Sequence, residues 1–325
     1  MTVNPSNADI SIIIPAYNAE PFITKCLESI QQQSFKNYQV LVVDNGSTDH
    51  TADKVLPFVS TDNRFKLLHS SDLGVSNARN LALASAQTKF VTFVDADDYI
   101  SDNHIQTLIN CMSDSSVDMG VTGFSYETED GKALNVISVA GSRMDPEQAI
   151  KSTYDFTGIQ GIVCNKIFRK SIIEHCNVRF DPSIPKYEDH KFVVEYLIHC
   201  QQVACRNEIT YHYVKHSQSS LYTSKTNLAQ DLEVYLTIRR EIVSRGFKDV
   251  SDYVERPLQI IVLNHYWHPI DTRDKEEAAK RMTNRKFVSY NLLNMSIKSK
   301  LKFLLALLSL GPFWIKQKVN SRGAS

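Results

Sequence analysis

No apolar run in this chain of 325 residues reaches the ~18 that a membrane-spanning helix needs. The opening stretch, Met1 to Asp9, has neither a basic start nor an apolar segment, so no secretory signal is expected. The six cysteines (Cys26, Cys111, Cys164, Cys176, Cys200 and Cys205) form no CxxC pair, and no histidine cluster at zinc spacing accompanies them. Free thiols in a reducing cytosol are the expectation. No GxGxxG follows the first apolar run, which argues against an NAD-dependent dehydrogenase. The segment Ser11–Asn18 contains no glycine, which argues against the Gly-rich, basic phosphate loop of a sugar-phosphate nucleotidyltransferase. Acidic residues also run out: none follows Glu277, whereas ten Lys or Arg do. The last 48 residues therefore carry formally +10 and the preceding 277 carry −10. A basic tail of that kind suits an anionic surface, either membrane or polyanion.

What is present is organised around Phe90–Tyr99, where Phe-Val-Thr-Phe-Val runs directly into Asp95, Asp97 and Asp98. An apolar run this short, bounded by polar residues, reads as a strand buried on both faces of a parallel sheet. If the chain stays extended, Asp95 and Asp97 point to one side. Two such carboxylates repel unless a hard cation, Mg²⁺ or Mn²⁺, sits between them and a phosphate. The competing reading is an acidic turn with Asp97 or Asp98 capping a helix that begins near Asp102.

Strand candidates at Ile10–Ile14, Val40–Val43, Phe65–Leu68 and Phe90–Val94 alternate with helix candidates on Ile23/Leu27/Ile30, from about Thr51, and over Ser76–Ala86. Four alternations in about 110 residues are the signature of a doubly wound α/β domain with a mostly parallel sheet. Ligands of such sheets bind beyond the carboxyl ends of the strands, and the polar clusters 15–20, 44–49 and 95–98 all fall there. Further along, the pattern predicts a strand over Asp118–Phe124, a loop or hairpin over 125–144, and a helix over Pro146–Tyr154 capped by Asp145. Strands are expected over 161–169 and Ile209–Val214, and a helix over Glu188–Cys200. Beyond about Lys225 the composition turns helical: Leu228–Arg245, Val250–His268, Asp274–Leu293 and Lys300–Lys318. This divides the chain into 1–224 and a helical region 225–325.

Four motifs then stand in order: Ser11–Asn18 (SIIIPAYN), Val43–Asp49 (VDNGSTD), Gly74–Asn80 (GVSNARN) and Asp95–Asp98 (DADD). Together they resemble the family 2 glycosyltransferases of GT-A fold, inverting enzymes that use nucleotide-activated sugars, over roughly residues 9–222. The nearest in style are bacterial enzymes of capsule, exopolysaccharide and teichoic-acid glycosylation. The resemblance implies a Rossmann-like α/β catalytic domain in which Pro15 and Tyr17 form a platform for uracil and Asp44 accepts its N3–H. It implies that Arg79 meets the nucleotide or its phosphates, Asp95 the ribose or sugar, and Asp97 a divalent metal, Mn²⁺ or Mg²⁺. Glu188–Asp189 matches the family's acidic pair, with Asp189 as general base and Glu188 on acceptor or donor sugar. Residues 211–222 resemble the family's closing loop, with His216 toward phosphate or metal and Ser219 or Ser220 as hydroxyl donor. The chain departs from the family pattern at Asn45, at Asp72-Leu73-Gly74 and at Ala82; Asp72 bears on base recognition.

The implied partners are a UDP-sugar donor and a glycan or lipid-linked glycan acceptor, with no nucleic acid. The implied location is cytoplasmic, peripheral to the inner face of the membrane. Leu301–Ile315, apolar between lysines, is too short to cross ~30 Å of hydrocarbon and reads either as an interfacial helix or as a packed terminal helix. The alternative function is a UDP-sugar- or glycan-binding module without catalysis.

Overall fold

The computed structural model describes residues 8–139, 141–216, 227–247, 250–267 and 272–282. The chain divides into two compact units, 1–224 with 244–247, and 225–243 with 248–325.

The larger unit begins with the strands of highest β-branched content. β1 (Ile10–Ala16) and β2 (Tyr38–Asp44) are buried along nearly their whole length, as strands covered on both faces must be. β3 (Phe65–His69) and β4 (Phe90–Phe93) complete a parallel set in the order β3-β2-β1-β4. The crossovers are α1 (Ile23–Gln31), α2 (Thr51–Thr61) and α3 (Val75–Ser85). Apolar spacing drives their packing: Ile23, Cys26, Leu27 and Ile30 form the buried stripe of α1. The register pairs Ala16 with Asp44, Asp44 with His69, and Ile13 with Phe93. Four strand ends therefore share one rim.

The second half of the sheet departs from the simple alternating pattern. β5 (Tyr99–Ile100) is a two-residue strand; α4 (His104–Cys111) leads into β6 (Met119–Thr128). The expected excursion is a hairpin, β7 (Ala133–Ile137) folding back on β6, followed by β8 (Arg143–Met144). α5 (Pro146–Thr153) starts with a capping box in which Asp145 accepts from the Gln148 N–H, and Pro146 fills the first turn. The strand expected over 161–169 is only β9 (Lys166–Arg169), which enters antiparallel between β4 and β6. After α6 (Lys170–His175) and α7 (Glu188–Leu197), β10 runs from Val203 to Lys215, parallel to β6. It is much longer than the segment 209–214 expected from alternation, because irregular register between Cys205 and Tyr211 hides its first half.

Phe93, Phe168, Phe180 and Phe192 pack edge-to-face or stacked, the last two with centroids 4.1 Å apart. Each buried ring contributes roughly 2–3 kcal/mol of transfer free energy. Phe192 ties α7 into this core, and the Tyr196 hydroxyl donates to the Asp118 carbonyl at 2.7 Å. The body of α7 is thereby fixed, and its first turn, with Glu188 and Asp189, is presented at the rim.

The smaller unit contains α8 (Leu228–Ser244), α9 (Ser251–Trp267) and α10 (Thr272–Met282). Its interior includes one polar network: His265 is hydrogen-bonded to Asp274 at 2.8 Å and to Asp231 at 3.1 Å. The other Asp274 oxygen accepts from the Leu228 N–H, so these buried carboxylates are satisfied as burial requires. The expected helix over Lys300–Lys318 and the basic apolar tail lie outside the described residues, as does the end of the helix expected to reach Leu293.

Candidate active site

The first rim segment is the turn after β1. Pro15 is half-buried and Tyr17 projects with 58% of its surface exposed. Asn18, at φ 47°, stitches this turn to the one after β2, taking the Thr48 N–H on its Oδ1 at 2.8 Å and giving its own N–H to Ser47. Asp44 ends β2, buried, accepting from the Ser47 N–H at 3.2 Å with His69 Nδ1 at 3.4 Å. Two stitched loops thus carry an exposed ring, Tyr17, on one and follow a buried carboxylate, Asp44, on the other. Asp72 stands apart, exposed, in the turn before α3; its backbone carbonyl accepts from the Ser70 hydroxyl.

The acidic stretch after β4 does not stay extended. The Asp98 N–H returns to the Asp95 carbonyl at 3.1 Å, which closes a turn and overturns the period-two expectation that Asp95 and Asp97 share a side. Their carboxylates go to different partners. Asp95 Oδ1 receives Arg79 at 3.0 Å and Asp95 Oδ2 receives the Cys164 thiol at 3.2 Å. Asp97 pairs with His216 Nε2 at 2.6 Å. Asp98 is buried, accepting from the Tyr211 hydroxyl at 2.5 Å and the Val214 N–H at 2.8 Å. It therefore fixes the end of β10 against the turn. Neither Asp97 nor Asp98 caps α4, whose flanking residue is Asn103, without a side-chain cap.

Arg79 is the hub. Its side chain is almost wholly buried on α3, and one guanidinium nitrogen meets both Glu188 at 3.0 Å and Asp189 at 2.5 Å while another meets Asp95. The resemblance pointed it toward nucleotide or phosphate; here its charge is directed to three carboxylates. Its planar fork places two nitrogens on opposite sides of the group, a spread that the single nitrogen of an ammonium does not offer. α7 enters from the other side, with Tyr187 at its start held at φ 69°, a strained conformation for a bulky residue. Burial pushes the Asp189 carboxyl above the usual carboxylate range, the Arg79 guanidinium opposing it and Glu188 and Asp95 adding to the rise. A raised proton affinity is what a general base requires. Burial, then Asp95, likewise raises Asp97, and burial with Asp97 and Asp95 raises Asp98.

Asp95, Glu188 and Asp189 thus share one permanent cation, while Asp97 meets the His216 imidazole and Asp98 the neutral Tyr211 hydroxyl and Val214 N–H. The excess negative charge and the donor set suit a hard divalent ion. His216 adds an observation of its own: its Nδ1 is buried without a hydrogen-bond partner, and its ring stacks on Phe22 at 4.6 Å. The residues present fit a metal held in part by protein and completed by a ligand. Among the described residues no three His, Cys, Asp or Glu side chains form a complete cage by themselves. Ser219 and Ser220 lie outside the described residues.

The structure adds groups that sequence reading did not assign: Asp98, Tyr211, Cys164 and Lys166. Asp98 was visible within the acidic motif. Tyr211 opens the 211–222 motif without a role of its own there, whereas Cys164 and Lys166 carry no local signal; the Tyr211 hydroxyl accepts from the Asp95 N–H, 116 residues away.

An α/β sheet of this order, with its acidic rim at the strand ends, is the architecture of the GT-A fold. The sequence profile of glycosyl transferase family 2 matches residues 11–176, and the chain belongs to that family. It is 28% identical over 269 residues to EpsH of Bacillus subtilis, covering 79% of this chain and 77% of that one. Its fold is similar to Staphylococcus aureus TarS residues 1–349, solved in complex with UDP-GlcNAc (TM-score 0.67, 20% identity, 87% of this chain and 81% of that one). It is also similar to the mannosyltransferase PcManGT from Pyrobaculum calidifontis, solved with GDP-Man and Mn²⁺ (TM-score 0.55, 14% identity, 94% and 88%). Among the described residues no helix is long and apolar enough to cross a membrane.

Proposed function

We propose that this glycosyltransferase moves a sugar from a UDP-sugar to a hydroxyl of a bacterial surface glycan or its lipid-linked precursor, with inversion, at the rim of residues 1–224. The observation that carries the reading is the Arg79 hub, which brings a donor-side carboxylate, Asp95, and the acidic pair Glu188–Asp189 onto one guanidinium. Uracil stacks on Tyr17 beside Pro15, and its N3–H is accepted by Asp44, a choice that disfavours cytosine because the corresponding atom carries no proton. Asp72 borders the base.

Asp189 Oδ2 is the oxygen not engaged by Arg79, and it takes the proton of the acceptor hydroxyl. The acceptor oxygen bonds to the anomeric carbon as the bond from that carbon to the diphosphate oxygen breaks, and the electron pair leaves with UDP. Glu188 orients a sugar hydroxyl. Asp97 and His216 would hold Mn²⁺ or Mg²⁺, which when bound supplies positive charge to the departing diphosphate. One base and a stabilised leaving group suffice without a covalent intermediate. A lipid-linked acceptor goes together with a cytoplasmic location peripheral to the inner face of the membrane, where the basic tail would meet anionic lipid.

The test is UDP release from a panel of UDP-sugars with and without Mn²⁺, for wild type and Asp97→Ala. Metal-dependent turnover of one donor, lost in the variant, is expected. Absence of any UDP affinity would refute the donor assignment, and UDP affinity without turnover on any acceptor would favour a binding module.

A further inference from the structure

A row of aromatic rings leads away from the carboxylates, and none of the roles above uses it. Side chains two apart on a strand share a face. Tyr211 and Tyr213 on β10 are therefore level with Phe124 and Tyr126 on β6, their register partners. Tyr211 touches both Asp98 and the Asp95 N–H, so the row starts at the reaction centre. Tyr126 and Tyr213 are half-buried, their rings 5.2 Å apart at 62°, and Lys215 Nζ lies 4.6 Å from the Tyr126 ring. The Tyr126 hydroxyl donates to Gln160 Oε1 at 3.2 Å, and Gln160 Nε2 donates to the Phe156 carbonyl at 2.9 Å. Phe156 itself is 59% exposed.

The loop that carries Phe156 and Gln160 is fixed from below. Lys166, wholly buried, gives its three donors to the Ile159 and Ile162 carbonyls and Asn165 Oδ1, all at 2.7 Å. Gly161 packs on the His190 ring of α7, where a Cβ would fall 2.4 Å from Cγ. The loop is therefore pressed against the helix that carries Asp189. At its crest Gln160 sits at φ 52°, a left-handed conformation that costs a residue with a Cβ about 1–2 kcal/mol. One exposed phenyl is ordinary. An exposed phenyl beside a strained glutamine on a clamped loop next to the proposed base indicates a functional constraint.

We infer that Tyr126, Phe156 and Gln160 form the acceptor subsite and that it takes a pyranose ring, not an open-chain polyol phosphate. The aromatic faces stack on the apolar C–H face of the ring, and the Gln160 amide and Lys215 ammonium bind its hydroxyls. Flat apolar area edged by a few fixed polar groups is how a site orients such a ligand. The inference rests on the glycosyltransferase reading with Asp189 as base.

The experiment is saturation-transfer NMR on the full chain with UDP and Mn²⁺. The probes are methyl β-glucoside, methyl β-N-acetylglucosaminide, glycerol phosphate and ribitol phosphate, and UDP affinity is measured in parallel by calorimetry. The expected result is saturable binding of at least one pyranoside, with transfer strongest at the ring C–H protons. Phe156→Ala and Gln160→Ala should weaken it about tenfold, the scale of a lost stacking contact, and leave UDP affinity unchanged. Gln160→Gly separates function from folding: it loses the same hydrogen bonds as Gln160→Ala but relieves the backbone, so its Tm should lie above that of Gln160→Ala while the pyranoside weakens equally. Polyol phosphates binding in place of the pyranosides, no pyranoside binding to a UDP-loaded wild type, or unchanged affinity in the variants would each overturn the subsite alone. Failure of the wild type to bind UDP would overturn the donor reading and the subsite with it.

Discussion

Removing the guanidinium of Arg79 should strain the site in a way that depends on pH. The side chain is 4% exposed, while its partners Asp95, Glu188 and Asp189 are 26%, 14% and 20% exposed. At an effective dielectric of about 20, each contact is worth about 4 kcal/mol of gross attraction. Desolvating the guanidinium offsets several kcal/mol of this, and partial solvent access of the carboxylates discounts it further. A net loss of about 3 kcal/mol in Arg79→Ala at pH 8 is the expected outcome in urea denaturation. The sign with pH follows from linkage. Burial already raises the Asp189 carboxyl against the opposing Arg79 guanidinium; without that cation its folded-state pKa lies further above the unfolded one, so it favours the folded state when protonated and disfavours it as pH rises. The penalty should therefore shrink toward pH 5. Arg79→Lys should recover part of the stability but not the two-sided geometry. A loss below about 1 kcal/mol that is the same at both pH values would refute the reasoning, because the guanidinium would then not be what holds the carboxylates together.

Burial pulls His104 and His190 each down to about 3, so both stay neutral in the folded protein while their unfolded forms protonate near pH 6.5. Stability should fall as pH drops through that window, by about 2 kcal/mol per residue at pH 5; imidazole NMR shifts that titrate near 6.5 would contradict it. Gly161→Ala should cost about 1–3 kcal/mol through its clash with His190 and lower kcat by displacing the start of α7, and an unchanged melting temperature would show that the contact is loose. His216→Ala should weaken Mn²⁺ binding to the UDP-loaded protein about tenfold or more, read by calorimetry. Affinity equal to wild type would remove His216 from the metal site.

Sequence pattern alone was enough for the first half of the sheet. β1, β2 and β4 each hold a short apolar run, Ile12–Ile14, Val40–Val43 and Phe90–Phe93, that leads into a polar cluster, and α1 between them carries a clear apolar stripe. The direction of β9 was not legible, because Lys166–Arg169 is equally apolar read either way and only its neighbours β4 and β6 decide its pairing. β10 was legible only where its alternation is regular. At the site, the carboxylates announced themselves as motifs. What they bond to did not, since Arg79 lies 110 residues from Asp189. The turn after β4 was misjudged for a related reason: a single backbone hydrogen bond from Asp98 redirects two side chains. Lys166 gave no sign of its burial, because the carbonyls that receive its ammonium are backbone groups.

The most direct test of the central claim is a single-turnover comparison of wild type and Asp189→Asn with the preferred UDP-sugar and a glycan acceptor. The substitution keeps size and removes the proton acceptor. The account predicts UDP affinity within about twofold of wild type and transfer slowed by about 10²–10⁴-fold. The linkage formed by the wild type should be inverted relative to the donor. Transfer at the wild-type rate by Asp189→Asn, or retention of anomeric configuration, would contradict it.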